Sequence, residues 1–212
     1  MRFLLALMLI SASLASAVII DRIAVVIGKS IIKDSDIDRD LRVTEFLNGD
    51  PLDLSEAARK KAASRLIDQV FIRREIEVGD YRDATLQQAD AQIDKLERRK
   101  FRTQAAYQQA LKRYGIAEID LRTQLQWQLT ILNFIDVRFK PAVLVTEDEI
   151  AIYYNEHAAA LRREHPGKSS LDDAREEIRN ILAGQKENRE FFAWLDDQRK
   201  NTEIQFLEAS LR

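Results

Sequence analysis

The spacing of apolar and polar residues predicts a short hairpin at one end of the chain and a strand at the other. Val18 to Ile27 is rich in β-branched residues, Gly28-Lys29 suits a turn, and Ile31-Ile32 resumes the apolar run. Thr202 to Leu207 alternates polar and apolar residues, the period of a half-buried strand. Because unpaired strand groups are costly when buried, the final strand needs a partner. The two ends of the chain are therefore expected to meet in one small sheet.

Helical periodicity fills the segment between these ends. Apolar residues recur at three- and four-residue spacing, as in Ala62, Leu66 and Val70, and capping residues precede most of the periodic segments. The predicted helix starts are Ser35 with Asp38, Ser55, about Gln87, Thr103, Ala117 or Glu118, Thr146 with Glu149, and Ser170 with Asp173. Where a stop signal is present, the predicted ends are Leu47, Val78, Lys100, Gly115, Pro141 and Lys200.

The predicted helix before Pro141 has two apolar faces. At about 100° per residue, one stripe consists of Leu121, Leu125, Leu129, Leu132 and Phe139. A second stripe, roughly 120° around the helix, consists of Trp127, Ile131 and Phe134. A helix that is apolar on two faces has two partners to pack against.

Two arrangements account for the second stripe. In the first, the last helix of the chain covers it. In the second, part of it stays open and binds apolar segments of another protein. Under the second arrangement, the candidate binding residues are Trp127, Ile131 and Phe134.

The composition agrees with long helices. The chain has six Gly and three Pro among 212 residues, and Ala, Leu, Gln, Glu, Lys and Arg are abundant. The predicted fold class is mainly α, a multi-helix core with a small β-sheet formed by the N-terminal hairpin and the C-terminal strand. Cysteine is absent, which excludes disulfides, a thiol nucleophile and thiolate metal sites.

The first 17 residues have the pattern of a secretory signal peptide. Arg2 precedes an apolar run from Phe3 to Leu14, and Ala15-Ser16-Ala17 is an A-x-A cleavage signal. We expect cleavage after Ala17 and an exported protein without stable membrane insertion, because the apolar run is shorter than the about 20 residues of a membrane span. Retention of the segment as an N-terminal anchor is the alternative.

Charge does not favour a nucleic-acid partner. Removal of residues 1–17 removes only Arg2 from the count and leaves 32 cations against 35 anions. The run KLERRK, residues 95–100, has Glu97 within it and Asp94 beside it. We interpret it as a solvated helix face, and an attraction for an acidic partner is the alternative.

The sequence contains no convincing catalytic or metal-binding pattern. His157 and His165 are eight residues apart, and with Glu156 and Glu164 they fit neither HExxH nor a cysteine-containing zinc site. Serine and acids are abundant, but G-x-S-x-G is absent. Ile23 stands where a phosphate loop ending at Gly28-Lys29-Ser30 would require glycine. We therefore assign no catalytic residue, no metal site and no cofactor.

The order of these segments resembles the SurA-type periplasmic chaperones. Residues 21–41, DRIAVVIGKSIIKDSDIDRDL, resemble the opening of that family, where two strands lead into the first helix. Residues 57–99 and 114–139 are similar to its following helices, and VTEDEIAIYYNEH at 145–157 is similar to its connector. Residues 175–207 resemble its C-terminal helix and strand.

The resemblance implies domain boundaries and a departure from the family. Residues 1–17 are the signal peptide, 18–145 the N-terminal chaperone domain, 146–170 a connector, and 171–212 the C-terminal helix and strand that complete the core. Relatives with isomerase activity insert roughly a hundred residues of parvulin domain at the connector, and this chain has only Ala158 to Ser170 there. Isomerase activity is therefore not expected.

The resemblance also implies a function. We expect an ATP-independent periplasmic chaperone that binds unfolded exported or outer-membrane polypeptides and limits their aggregation. The alternatives are a peptidyl-prolyl cis-trans isomerase and a structural module for one dedicated partner. The sequence leaves a homodimer open.

Overall fold

The computed structural model describes residues 21–164 and 170–211 as a mainly helical protein with a small antiparallel sheet. The predicted fold class is confirmed. The elements are β1 Ile23–Ile27, β2 Ser30–Lys33, α1 Asp34–Asn48, α2 Glu56–Val78, α3 Leu86–Lys100, α4 Gln104–Tyr114, α5 Glu118–Arg138, α6 Glu147–Glu164, α7 Leu171–Lys200 and β3 Ile204–Phe206, with 3₁₀ turns at Lys140–Ala142 and Ala209–Leu211. The predicted signal peptide, His165 and Pro166-Gly167 lie outside the described residues.

The two ends of the described chain meet in one sheet, as predicted. Its strand order is β2-β1-β3, and both pairings are antiparallel. β1 is the central strand, and its Val25, for example, faces Ile32 on one side and Phe206 on the other. Gly28 has φ +55° in the tight turn between β1 and β2, a conformation that glycine adopts without strain.

The predicted cap of the first helix is wrong by two residues. Lys33 occupies the N-cap position, and its backbone N–H donates to Asp36 Oδ2 at 3.0 Å. Ser35 lies inside the first turn, where its hydroxyl donates to Asp21 Oδ2 at 2.6 Å. Asp38 pairs with Arg59 on α2. Ser35 was expected to act locally, but an acid 14 residues earlier in the chain binds its hydroxyl instead.

The other predicted caps are confirmed. The hydroxyls of Ser55, Thr103, Thr146 and Ser170 each accept an N–H of the first helical turn. Thr85 caps α3 in the same way, which places the start of that helix one residue before the predicted one. The predicted ends are also confirmed near Gly49, Gly79, Gly115 and Lys200.

Three apolar clusters hold these elements together. The largest joins the sheet to α1, α2, the second half of α5 and the second half of α7. A second cluster joins α1, α3, α4 and the first half of α5. A small third cluster around Ile150, Ala174 and Ile178 joins α6 to the first half of α7. The predicted connector, residues 146–170, thus contains a helix that packs on α7.

Charged contacts fix the C-terminal elements on the rest of the core. Arg199 of α7 donates to Asp68 Oδ1 at 2.6 Å and to the backbone carbonyl of Ser64 at 2.8 Å, both on α2. Arg59 of α2 binds Asp34, Asp38 and Glu208. These contacts join the beginning and the end of the chain to the same helix.

Candidate functional site

The three residues predicted to bind another polypeptide lie on the inner side of α5. Trp127 is 6 % exposed and Phe134 is 1 % exposed, and both belong to the largest core cluster. Ile131 is half-buried and packs against the same cluster. In this conformation the second stripe of α5 is therefore a packed surface, and its contact with other polypeptides stays a prediction.

Aromatic side chains from α7 and its neighbours cover that stripe. The ring of Phe134 lies 5.8 Å from Trp194 and 5.1 Å, edge-on, from Tyr81. Phe139, which belongs to the first stripe, lies 5.7 Å from Phe191 of α7. Edge-to-face pairs of this kind stabilise a core beyond their buried area. The structure thus has the first of the two arrangements considered for α5, in which the last helix covers the second stripe.

A groove lies beside this core, between β2, α1, α2 and α5. We call it the β2 groove, and its volume is about 500 Å³. It is lined by Ser30, Ile31, Ile32, Asp36, Arg39, Asp40, Val43, Leu66, Gln69, Val70, Arg73, Asp120, Thr123 and Gln124. Four separate elements contribute to it, so it exists only in the folded chain.

One wall of the β2 groove is an edge strand. Within the described residues, β2 pairs with β1 alone, which leaves one side of its backbone without a neighbouring strand. Ile31 is 47 % exposed there, and the half-buried side chains of Leu66 and Val70 stand on α2. An unpaired strand edge beside apolar side chains is suited to an extended peptide, which pairs its backbone with the edge and buries alternate side chains.

Another part of the wall carries neutral amides and a group of charges. Gln69, Thr123 and Gln124 offer donors and acceptors without formal charge. Arg39 is held between Asp36 at 3.3 Å and Asp120 at 3.4 Å, which leaves one negative charge, and Arg73 of the same groove supplies a second cation. The wall can therefore hydrogen-bond a peptide backbone with little preference for the charge of its side chains.

Asp40 is the one groove carboxylate with a deeply buried side chain, which is 4 % exposed. Burial raises the pKa of Asp40, and the charge of Arg65 partly opposes that change. Arg65 Nε donates to Asp40 Oδ2 at 3.1 Å from the neighbouring helix α2. This pair ties α1 to α2 at the base of the groove.

Trp127 lies directly behind the β2 groove. The guanidinium carbon of Arg73, a groove residue, is 4.0 Å from the centroid of the Trp127 ring. The Trp127 Nε1–H is buried and has no hydrogen-bond partner among the described residues. The sequence-based assignment thus identified a residue one layer beneath the groove, while Ile131 and Phe134 do not line it.

The lining residues of the groove carry no sequence signal that would have identified them. Gln69 and Gln124 are ordinary helix formers that lie 55 positions apart on two helices. Ile31 had been recognised only as part of a hairpin. The edge position of β2 was the single available clue, because a final strand that pairs with β1 leaves β2 on the outside.

His157 has local contacts on α6. Its Nδ1 lies 3.0 Å from the carbonyl oxygen of Tyr153, and its ring stacks on the Tyr153 ring at 4.1 Å between centroids. Among residues 21–164 and 170–211, no three acidic, histidine or cysteine side chains are grouped as a metal site would require. His165, the other histidine of the rejected metal pattern, lies outside that part of the chain.

No protein-family model matches this chain, and no curated protein matches it in sequence. In the described part of the chain, no helix combines the length and hydropathy needed to cross a membrane.

Proposed function

We propose that this protein is an ATP-independent periplasmic chaperone of the SurA type, which binds unfolded exported or outer-membrane polypeptides in the β2 groove. The observation that carries the proposal is the juxtaposition of an unpaired strand edge with apolar and amide side chains. The resemblance of the ordered segments to SurA-type chaperones supports the same function, and the signal-peptide pattern supports export to the periplasm.

Binding in the groove combines two sources of free energy. A client strand that pairs with β2 replaces water on the unpaired backbone groups, each net hydrogen bond contributing about 1 kcal/mol. An apolar client side chain against Ile31, Leu66 and Val70 contributes about 1.5–3 kcal/mol when fully buried. After the cost of ordering the client, such a site gives modest affinity.

Modest affinity is suited to this work. A client segment that is covered while bound cannot pair with another exposed segment, and rapid release lets the client fold without an energy source. Selectivity is broad, because backbone pairing and amide contacts do not depend on one side-chain sequence.

The test is suppression of aggregation of two unrelated unfolded clients by the purified protein and by Ile31→Asp. The substitution places a charge at the groove edge on an exposed side chain, so we expect the fold to remain and suppression to fall at least fivefold. Val78→Asp is the matched control, because Val78 is 80 % exposed and lies outside the groove.

Three outcomes contradict the proposal in different ways. Equal suppression by the folded Ile31→Asp variant removes the groove as the client site. Failure of the unmodified protein with both clients removes the chaperone function and favours a module for one dedicated partner. Catalysis of prolyl isomerisation in a peptide assay, abolished by His157→Ala, favours an enzyme instead.

A further inference from the structure

A second concavity lies where α1, α3 and α4 end, and it shares no residue with the β2 groove. We call it the basic pocket, and its volume is about 880 Å³. The residues that matter for its chemistry are Phe46, Lys100, Phe101, Lys112, Arg113 and Tyr114. Helices α1, α3 and α4 thus build a site that the proposed function does not use.

The floor of the basic pocket is aromatic. The ring of Phe46 stacks on Phe101 with 6.1 Å between centroids and meets Tyr114 edge-on at 5.6 Å. The Tyr114 hydroxyl donates to the carbonyl oxygen of Asp50 at 2.6 Å, which fixes the ring in place. A fixed set of rings offers a ready contact for a further aromatic side chain, because no rearrangement is needed before binding.

Cations surround this floor. Residues 91–115 contain seven Lys or Arg and two acids, although the whole chain has a net charge of −2. Arg98 pairs with Asp94 at 3.9 Å. Within residues 21–164 and 170–211, no carboxylate lies within ion-pair distance of Arg99, Arg102, Lys112 or Arg113. The structure brings the run at 95–100 together with the two cations at the end of α4, which the sequence alone did not show.

The carboxyl ends of the helices reduce the positive potential of the pocket. The carboxyl ends of α1, α3 and α4 each carry a partial charge of about −0.5. Two cations bind carbonyl oxygens at these ends. Lys100 Nζ donates to the carbonyl oxygen of Leu47 at 2.5 Å, and Arg42 Nη1 donates to that of Tyr114 at 2.9 Å. Even without those two, Lys112 and Arg113 at the rim and Arg99 and Arg102 beside them outweigh the three helix ends. The rim therefore attracts anions.

We propose that the basic pocket binds an acidic peptide segment that carries an aromatic side chain. The aromatic ring lies on Phe101 and Tyr114, and carboxylates on either side of it pair with Lys112 and Arg113. Both parts of the pocket are then used, which requires a ligand with one apolar group between two anionic groups. The proposal does not depend on client binding in the β2 groove.

Other anionic ligands fit the pocket less well. A flat layer of lipid headgroups would meet the protruding cations but would not reach the aromatic floor of a concavity. A nucleic acid needs several phosphate contacts along a continuous stripe of cations, whereas, of the cations in the described part of the chain, only Lys100, Lys112 and Arg113 line this pocket and the chain is acidic overall. A peptide supplies the ring and the anions at the spacing of neighbouring residues.

The experiment measures binding of a fluorescent dodecapeptide with the centre Glu-Asp-Phe-Asp-Glu by anisotropy. Lys112→Glu combined with Arg113→Glu is the test variant, and Lys60→Glu combined with Lys61→Glu is the control, which makes the same change in net charge on exposed residues of α2. We expect at least tenfold weaker binding by the test variant and unchanged binding by the control. Replacement of the peptide's Phe by Ala, or of its acids by Lys, should also weaken binding at least tenfold.

Defined outcomes overturn the proposal. Equal affinity of the test variant and the unmodified protein for the peptide overturns it. Equal affinity of the unmodified protein for the peptides with Phe and with Ala also overturns it. Tighter binding of phosphatidylglycerol vesicles or of a 20-nucleotide single-stranded DNA, in competition with the peptide, assigns the surface to a membrane or to nucleic acid instead. Suppression of client aggregation by the test variant should equal that of the unmodified protein, which separates this proposal from that for the β2 groove.

Discussion

The guanidinium of Arg73 lies over the indole ring of Trp127, with 4.0 Å between the guanidinium carbon and the ring centroid. Arg73 lines the β2 groove and Trp127 belongs to the core, so this cation–π contact forms the boundary between them. A residue predicted as a contact for other polypeptides is thus a support for the groove floor.

Trp127→Ala should lower the free energy of unfolding by about 3–5 kcal/mol, the range for a buried aromatic side chain cut to a methyl group. Urea denaturation followed by circular dichroism measures the change. Leu132→Ala, on the same helix but 61 % exposed, should change the free energy by less than about 0.5 kcal/mol. A stable Trp127→Ala protein with weakened peptide binding would instead support the direct contact predicted from the sequence.

Arg65→Met should destabilise the protein because it leaves the buried Asp40 carboxylate without its partner. We expect the free energy of unfolding to fall by about 2 kcal/mol at pH 7. This is less than the ~3–5 kcal/mol typical of fully buried pairs, since the Arg65 side chain is 40 % exposed. Arg98→Met removes an exposed pair at 3.9 Å and is the control, with an expected effect below about 0.5 kcal/mol.

The cost of Arg65→Met should shrink in acid. Burial raises the pKa of Asp40 above its ordinary 3.8, so the folded protein binds this proton more tightly than the unfolded chain does. Its contribution to stability is full below 3.8 and is lost as the pH rises through the higher folded pKa. Urea denaturation at pH 4 and pH 7 should show a smaller loss at pH 4, and a loss independent of pH would contradict this account.

Much of the fold was predictable because its signals are local. Ser55, Thr103 and Ser170 act on the next helical turn, and each cap was confirmed. The cap at Ser35 was wrong because its partner, Asp21, lies before β1 and outside the helix, where helical periodicity does not point to it. The pairing of the C-terminal strand was predicted because its backbone N–H and C=O groups need hydrogen-bond partners, and no side-chain pattern was needed to predict it.

The site was less predictable than the fold. Helical period gave α5 two apolar faces, although Leu132 of the first stripe is exposed, and period does not say which neighbour covers a face. Trp194 covers Phe134 of the second stripe, and it stands 60 residues further along the chain. The β2 groove needs β2, α1, α2 and α5 together, and the basic pocket needs the ends of three helices. Neither site has a motif.

Glu149→Gln should loosen the contact between α6 and α7 at neutral pH. A salt bridge and hydrogen bond from Lys186, and then the backbone N–H of Thr146, lower the pKa of Glu149 to about 2. The stability that this carboxylate contributes is therefore present above its ordinary 4.5 and is lost as the pH falls toward 2. Hydrogen exchange of the first turns of α6 should show less protection in the variant at pH 7.

The same exchange measurement has an internal control. Asp148→Asn changes an exposed carboxylate one position earlier and should leave protection of α6 unchanged. Equal protection in Glu149→Gln and in the unmodified protein would show that the small cluster around Ile150, Ala174 and Ile178 holds α6 without this ion pair.

Arg59→Met should lower the free energy of unfolding by about 2 kcal/mol, within the range for hydrogen bonds to charged groups. The Arg59 side chain is 15 % exposed and binds Asp34, Asp38 and Glu208. Lys60→Met, its exposed neighbour, is the control for loss of one cation. Equal midpoints for the two variants in urea would mean that these ion pairs add nothing to packing.

The pairing of Val25 with Phe206 delays completion of the sheet in the newly made chain. Since about 180 residues separate the two strands, at roughly 5–20 residues per second β1 waits about 10–35 s for its second neighbour during synthesis. Throughout that interval one edge of the hairpin is open to any passing strand. The protein proposed to shield unfolded polypeptides therefore has an incomplete sheet of its own until β3 is made.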